Sequence, residues 1–216
     1  MTLTLHNYFR SSASYRVRIA LNLKGLPYEQ RFVHLNRDGG EQFKPAFTAL
    51  NPQSLVPVLD DGEVSTSQSM AILEYLEERH PEVPLLPRAL ADRAYVRRLA
   101  QYIACDIHPL QNLRVLKFLT GPLQLDEAAK TQWLQHWLGI GVAALERDIA
   151  ASGRAGRFCF GDTPTLADCC LVPQLFSARR FHIDLAGCPT LTAIEAACNE
   201  LEAFRAAEPG RQPDAE

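Results

Sequence analysis

Apolar and polar residues change their spacing near residue 80, and that change splits the chain into two textures. Leu3-Thr4-Leu5-His6-Asn7-Tyr8 alternates with a period of two, as a half-buried strand does. Val17, Ala20, Leu21 and Leu23 then share one flank of residues 11–24, which predicts a helix stopped by Gly25. A second strand is predicted over 28–35. Gly39-Gly40 opens an irregular, short-helical stretch that closes at Asn51-Pro52. Residues 56–59 and 63–66 flank Asp60-Asp61-Gly62, a strong hairpin signal. Ile72, Leu73, Tyr75 and Leu76 give the apolar face of a helix over 69–79.

Pro81, Pro84 and Pro87 punctuate the next segment, which reads as a stiff linker because no helix or strand carries that spacing. Beyond it every long segment has helical periodicity: 89–119, 126–151, 165–180 and 190–207. Thr165-Leu166-Ala167-Asp168 is a capping-box helix start, with Thr165 and Asp168 able to satisfy each other's backbone amides. The tail from Pro209 to Asp214 reads as surface coil. A strand–helix–strand unit, a hairpin and a helix, followed by an all-helical half, predict an α/β domain over 1–82, a linker over 83–88 and a helical domain over 89–216.

Composition narrows the function classes. A formal net charge of −3 leaves no basic excess to neutralise phosphates, which argues against nucleic-acid binding. No run approaches the roughly 20 apolar residues that span a bilayer. Arg10 and the serines at 11, 12 and 14 interrupt any secretory signal, so a cytoplasmic protein is expected. The six cysteines show no C-x-x-C spacing and no histidine partners; they read as buried small hydrophobes, and no metal site is indicated.

Three groups of residues carry candidate chemistry. The first is Tyr8 to Leu21, a strand end, a hydroxyl-bearing turn and a helix. A helix N-terminus stabilises an anion, so a thiol held there ionises more readily, and Ser11 or Ser12 can donate to the thiolate. The plain alternative is that one serine only caps the helix. The second is Val56-Pro57 at a strand start. A cis bond there would turn the Val56 backbone outward to pair with an extended peptide. The third is Gln68-Ser69 at a helix start, able to clasp a carboxylate, although capping alone explains Ser69 equally well. Together they describe a short peptide with a carboxylate at one end and a thiol at the other.

The chain resembles the zeta class of glutathione transferases, whose catalytic turn reads Ser-Ser-Cys-x-Trp-Arg-Val-Arg-Ile-Ala-Leu, against Ser11-Ser12-Ala13-Ser14-Tyr15-Arg16-Val17-Arg18-Ile19-Ala20-Leu21 here. The likeness runs on through residues 38–43, Gln68-Ser69, 107–112, Gly161-Asp162, 171–174 and Arg211-Gln212-Pro213-Asp214. It implies a thioredoxin-like first domain with a cis-proline, a helical-bundle second domain, a homodimer, and glutathione as cofactor. It implies Ser11 as thiolate partner with Ser12 beside it. Val56 and Pro57 would meet the cysteinyl backbone, Gln68 and Ser69 the γ-glutamyl carboxylate, and Gln42 the glycyl end. In the second domain it places His108 and Asn112 near glutathione; His108 stands where animal members carry glutamine.

The reaction implied is glutathione-dependent cis–trans isomerisation of maleylacetoacetate to fumarylacetoacetate, in aromatic amino acid breakdown. Its substrate is a small dianion, for which Arg10 and Arg180 are the candidate cations, although Arg179 and Arg180 also suit a solvated helix C-terminus. Arg16 and Arg18 read as packing and surface salt-bridge residues. Ala13 replaces the family cysteine, so no covalent role is assigned at that position. Maleylpyruvate isomerisation, transfer to or dehalogenation of α-halo acids, and a binding module without turnover remain as rivals.

Overall fold

A computed structural model describes residues 2–216. One compact unit comprises the chain up to Leu85 together with Asn199–Glu216, and a second spans Leu86–Cys198. The closing residues thus belong with the first unit, not with the helical half. Helical periodicity reports that a segment has an apolar face; it does not say which neighbour covers that face.

The first unit holds a four-stranded sheet of β1 (Leu3–Asn7), β2 (Tyr28–Phe32), β3 (Val58–Asp60) and β4 (Ser65–Ser67) in the order β2-β1-β3-β4. β1 and β2 run parallel; β1–β3 and β3–β4 are antiparallel, with Leu5 opposite both Gln30 and Leu59. A parallel pair needs a crossover. Here α1 (Ser12–Leu23) supplies it, ending at Gly25 with φ 65°, a conformation glycine adopts without steric cost. α2 (Pro45–Leu50) and α3 (Ser69–Arg79) follow in the same unit. The second strand stops at Phe32, three residues short of the expected end.

α1 is buried from Ser14 through Leu21, because α3 and α9 (Glu202–Ala207) both pack on it. Of the packing and surface salt-bridge roles expected for Arg16 and Arg18, that leaves packing: they are 1% and 0% exposed. Arg18 donates to Ala207 O, Asn7 Oδ1 and Phe9 O at 3.0, 3.0 and 2.9 Å. Burial lowers its pKa to about 10, which leaves it charged at neutral pH. The tail is likewise anchored. Gln212 is buried and donates to Ala206 O and Glu208 O at 2.8 and 2.9 Å.

The predicted hairpin forms around Asp61, whose carboxylate accepts from Glu63 N and Val64 N at 2.9 and 2.7 Å and from the Tyr75 hydroxyl. Tyr75 first, then the two amides, hold its pKa down at about 2. A depressed carboxylate contributes stability above its unfolded value and loses it as pH falls through the folded one. Asp61→Asn is therefore expected to be less stable than the parent at pH 6, with the gap closing towards pH 2 by denaturant titration. A gap that stays constant over that range refutes the assignment.

In the second unit the predicted helix over 89–119 is four pieces. α4 (Leu90–Gln101) passes into a π-helical stretch, Tyr102–Ile107, and a 3-10 turn, His108–Gln111, before α5 (Leu113–Thr120). Pro109 lacks the amide that a continuous helix needs, and Asn112 caps the new helix by accepting from Arg114 N at 3.1 Å. α6 (Glu127–Ser152), α7 (Leu166–Arg180) and α8 (Pro189–Asn199) complete the unit. At α7, Thr165 N donates to Asp168 Oδ2 at 2.7 Å and Cys159 N to its Oδ1 at 2.8 Å. Five cysteines are buried and Cys105 is exposed. Among the described residues no helix is long and apolar enough to cross a membrane.

Candidate functional site

Strand β1 delivers the chain into a tight turn in which Ser11 N donates to Tyr8 O at 3.0 Å. Ser11 then caps α1, its Oγ accepting from Ser14 N at 3.2 Å. The capping role anticipated for one serine is thus filled by Ser11. It does not use the hydroxyl proton: an oxygen that accepts at a cap still has its O–H to donate. Ser12, the first residue of the helix proper, is buried. Arg10 is half-buried and lies over the Phe9 ring, 4.8 Å from its centre.

The Val56–Pro57 bond is cis. Before it, Asn51 shapes the loop by donating from Nδ2 to Leu55 O at 2.8 Å and accepting from Gln53 N at 3.1 Å. Neither the N–H nor the C=O of Val56 has a hydrogen-bond partner among the described residues. A buried residue with an open backbone edge is what strand addition by a peptide requires.

Gln68 stands at φ 70°, ψ 113°, a sparsely populated conformation for a side-chain-bearing residue. Such strain persists where surrounding structure imposes it, and it clusters at ligand sites. The Gln68 Nε2 donates to Gln53 Oε1 at 2.7 Å, tying the start of α3 to the loop before Val56. Ser69 does not cap: Gln68 occupies the cap position, and Ser69 Oγ accepts from Arg16 Nη1 at 3.1 Å. The sequence assigned neither Arg16 nor Gln53 to this region. The signals available were the place of Arg16 in the family turn and that of Gln53 in the loop before Val56, and neither points to the start of α3.

Gln42 is 5% exposed and donates to Leu35 O at 3.2 Å, while its Oε1 is buried without a partner among the described residues. It folds over Gly40, which stands at φ 111°, a conformation side-chain-bearing residues rarely adopt; a Cβ there would lie 2.6 Å from Gln42 Nε2 and push that side chain aside.

The second unit carries the other predicted residues. His108 opens the 3-10 turn half-buried, and Asn112 Oδ1 is engaged as the α5 cap. Arg180 is exposed in the last turn of α7, its guanidinium 5.2 Å from the centre of the Phe181 ring, as the helix-terminus alternative describes. Arg179 pairs with Glu195. Gln111 and Gln174 form a buried amide pair at 3.0 Å that the sequence did not point to.

Residues 5–84 match the family described as glutathione S-transferase, N-terminal domain, and residues 131–207 its C-terminal domain. A maleylpyruvate isomerase from Ralstonia is 52% identical over 210 residues, 97% of this chain and 98% of its own. The solved holo structure of a maleyl pyruvate isomerase, described as a bacterial glutathione S-transferase of the zeta class, superposes with a TM-score of 0.95. It is 51% identical and covers 99% of this chain and all of that one. The chain belongs to the zeta class of glutathione S-transferases. Also similar to this zeta-class transferase is a maleylacetoacetate isomerase from Anaeromyxobacter dehalogenans, solved with GSH bound in its active site. It has a TM-score of 0.87, 48% identity, and covers 100% of this chain and 98% of that one. This zeta-class member carries Ala13, which has no side-chain thiol, where the family turn has cysteine.

Proposed function

We propose that this chain is a glutathione-dependent cis–trans isomerase of maleyl dianions, with maleylacetoacetate as its substrate, acting as a cytoplasmic homodimer. The observation that carries the reading is the open Val56 backbone in the same unit as a hydroxyl-capped helix start and the left-handed Gln68. A thiol tripeptide with an α-carboxylate fits that set. Bound glutathione would supply the sulfur nucleophile that converts the cis double bond to a rotatable single bond.

The chain's own groups do the rest. Ser11 Oγ, polarised by the amide it accepts from, donates its proton towards the sulfur, and the α1 N-terminus adds partial positive charge. Val56 N–H and C=O, beside Pro57, hold the cysteinyl backbone. Gln68 and Ser69 hold the γ-glutamyl carboxylate, with the Arg16 charge behind Ser69 favouring an anion. Gln42 is assigned to the glycyl end, and His108 and Asn112 to glutathione from the second unit. Arg10 and Arg180 are assigned to the substrate carboxylates, because a guanidinium matches a carboxylate bidentately.

Maleylpyruvate is a second reading, favoured by the 52% identical Ralstonia enzyme and the TM-score of 0.95. Rates on both maleyl compounds, with and without glutathione, test the proposal. Turnover of maleylacetoacetate only with glutathione supports it; equal turnover without glutathione refutes the mechanism. A higher kcat/KM on maleylpyruvate transfers the assignment to that substrate.

A further inference from the structure

The turn that presents Arg10 and Ser11 has Phe9 at its centre, and both backbone groups of Phe9 are held from elsewhere in the first unit. Its C=O accepts from Arg18 Nη2 at 2.9 Å, and its N–H donates to Asp214 Oδ2 at 3.0 Å. Tyr8 O, which closes the turn on Ser11 N, also accepts from Arg18 Nη1 at 3.4 Å. Arg18 lies one helical turn beyond Ser14 and is fixed within α1. Asp214 arrives from 205 residues away in the sequence.

Its delivery is built in steps. Gln212 locks onto the carbonyls at the end of α9 and accepts from Gln30 Nε2 at 3.4 Å. Pro213 then keeps Gln212 extended, at φ −80° and ψ 147°, and the next residue reaches Phe9. The other carboxylate oxygen, Asp214 Oδ1, is buried with no hydrogen-bond partner among the described residues. A half-satisfied buried carboxylate costs stability, so packing alone does not account for an aspartate there.

We propose that Asp214 is a positioning residue of the thiol site: it fixes the Phe9 peptide against Arg18 and so sets the direction of the Ser11 hydroxyl. The proposal rests on the glutathione-dependent reading above. It adds that the closing segment of the chain is part of the site's supporting frame.

Two variants test it. Asp214→Ala removes the acceptor; Asp214→Asn keeps an oxygen for Phe9 N–H and loses the charge. Asp214→Ala is expected to lower kcat/KM for glutathione by about tenfold, the loss typical of one hydrogen bond to a positioned group. It is also expected to move the ascending limb of the pH–rate profile to higher pH and to speed amide hydrogen exchange across residues 8–14. Asp214→Asn is expected to restore the exchange protection and most of the activity. A lowered Tm in Asp214→Ala with an unchanged pH profile and unchanged exchange over 8–14 overturns the proposal. So does equal damage in both variants, which would point to the charge itself. The exchange readout needs no glutathione, and calorimetry on the parent protein reports separately whether glutathione binds at all. If the parent fails to bind it, the functional reading falls and takes this role with it; if it binds and both variants match the parent, only the positioning role falls.

Discussion

Lys24→Ala is expected to destabilise the first unit by about 3–5 kcal/mol, the usual result of removing one partner from a buried ion pair. Lys24 Nζ donates to Glu77 Oε2, His80 O and Val83 O at 2.9, 2.9 and 2.8 Å, and the two charged side chains are only 1% and 7% exposed. Glu77 Oε2 also accepts from Leu85 N at 2.9 Å. One ammonium therefore ties the end of α1 to α3 and to the proline-punctuated segment after it. Truncating it removes the charge that offsets Glu77 and two carbonyl contacts at once. Exchanging both partners for apolar residues, Lys24→Met with Glu77→Leu, is expected to recover only the part of the loss due to the unpaired Glu77 charge, because His80 O, Val83 O and Leu85 N still lose their partners. Urea midpoints of the single and double variants measure this. A single variant within 1 kcal/mol of the parent contradicts the pair's role.

What the sequence revealed was local. The alternation of β1, the Asp60-Asp61-Gly62 turn and the Thr165–Asp168 cap each depend on residues a few positions apart, and each forms where expected. The errors are failures of long-range information. A run of helical periodicity from 89 to 119 hid the break at Pro109 and Asn112, because an apolar stripe persists across a kink. The run from 190 to 207 hid another break between Asn199 and Glu202. The surface salt bridges expected of Arg16 and Arg18 are ruled out once α3 and α9 close over α1, which leaves their packing role. The polar composition of the tail suggested coil, yet Gln212 meets Gln30 and Asp214 meets Phe9, partners far away in sequence. In the site, residue types alone left a serine cap and a thiolate donor as competing roles for Ser11. The two roles are compatible: the cap seen in the structure uses an oxygen lone pair, and donation to a thiolate would use the proton.

Ser11→Ala is expected to lower kcat/KM by about tenfold to a hundredfold, the range for losing one hydrogen bond to a charged group. The pH profile should carry the signature. A thiol that loses its donor moves back towards the ordinary value of about 8.5. The ascending limb of the rate profile then shifts to higher pH, and the deficit is largest at low pH and narrows where the thiol is ionised anyway. Ser11→Ala also removes the α1 cap, which costs about 1 kcal/mol, whereas glycine at a cap costs only a few tenths. Ser11→Gly therefore separates the two roles: it is expected to stay near the parent in Tm while losing as much activity as Ser11→Ala. Ser12 is the comparison, because it is buried one residue further along the helix. If Ser12→Ala shifts the profile and both Ser11 variants leave it in place, the donor is Ser12 and Ser11 is a cap alone. The polarising contact from Ser14 N argues for Ser11, because an oxygen that already accepts a hydrogen bond holds its own proton less tightly and donates it more strongly.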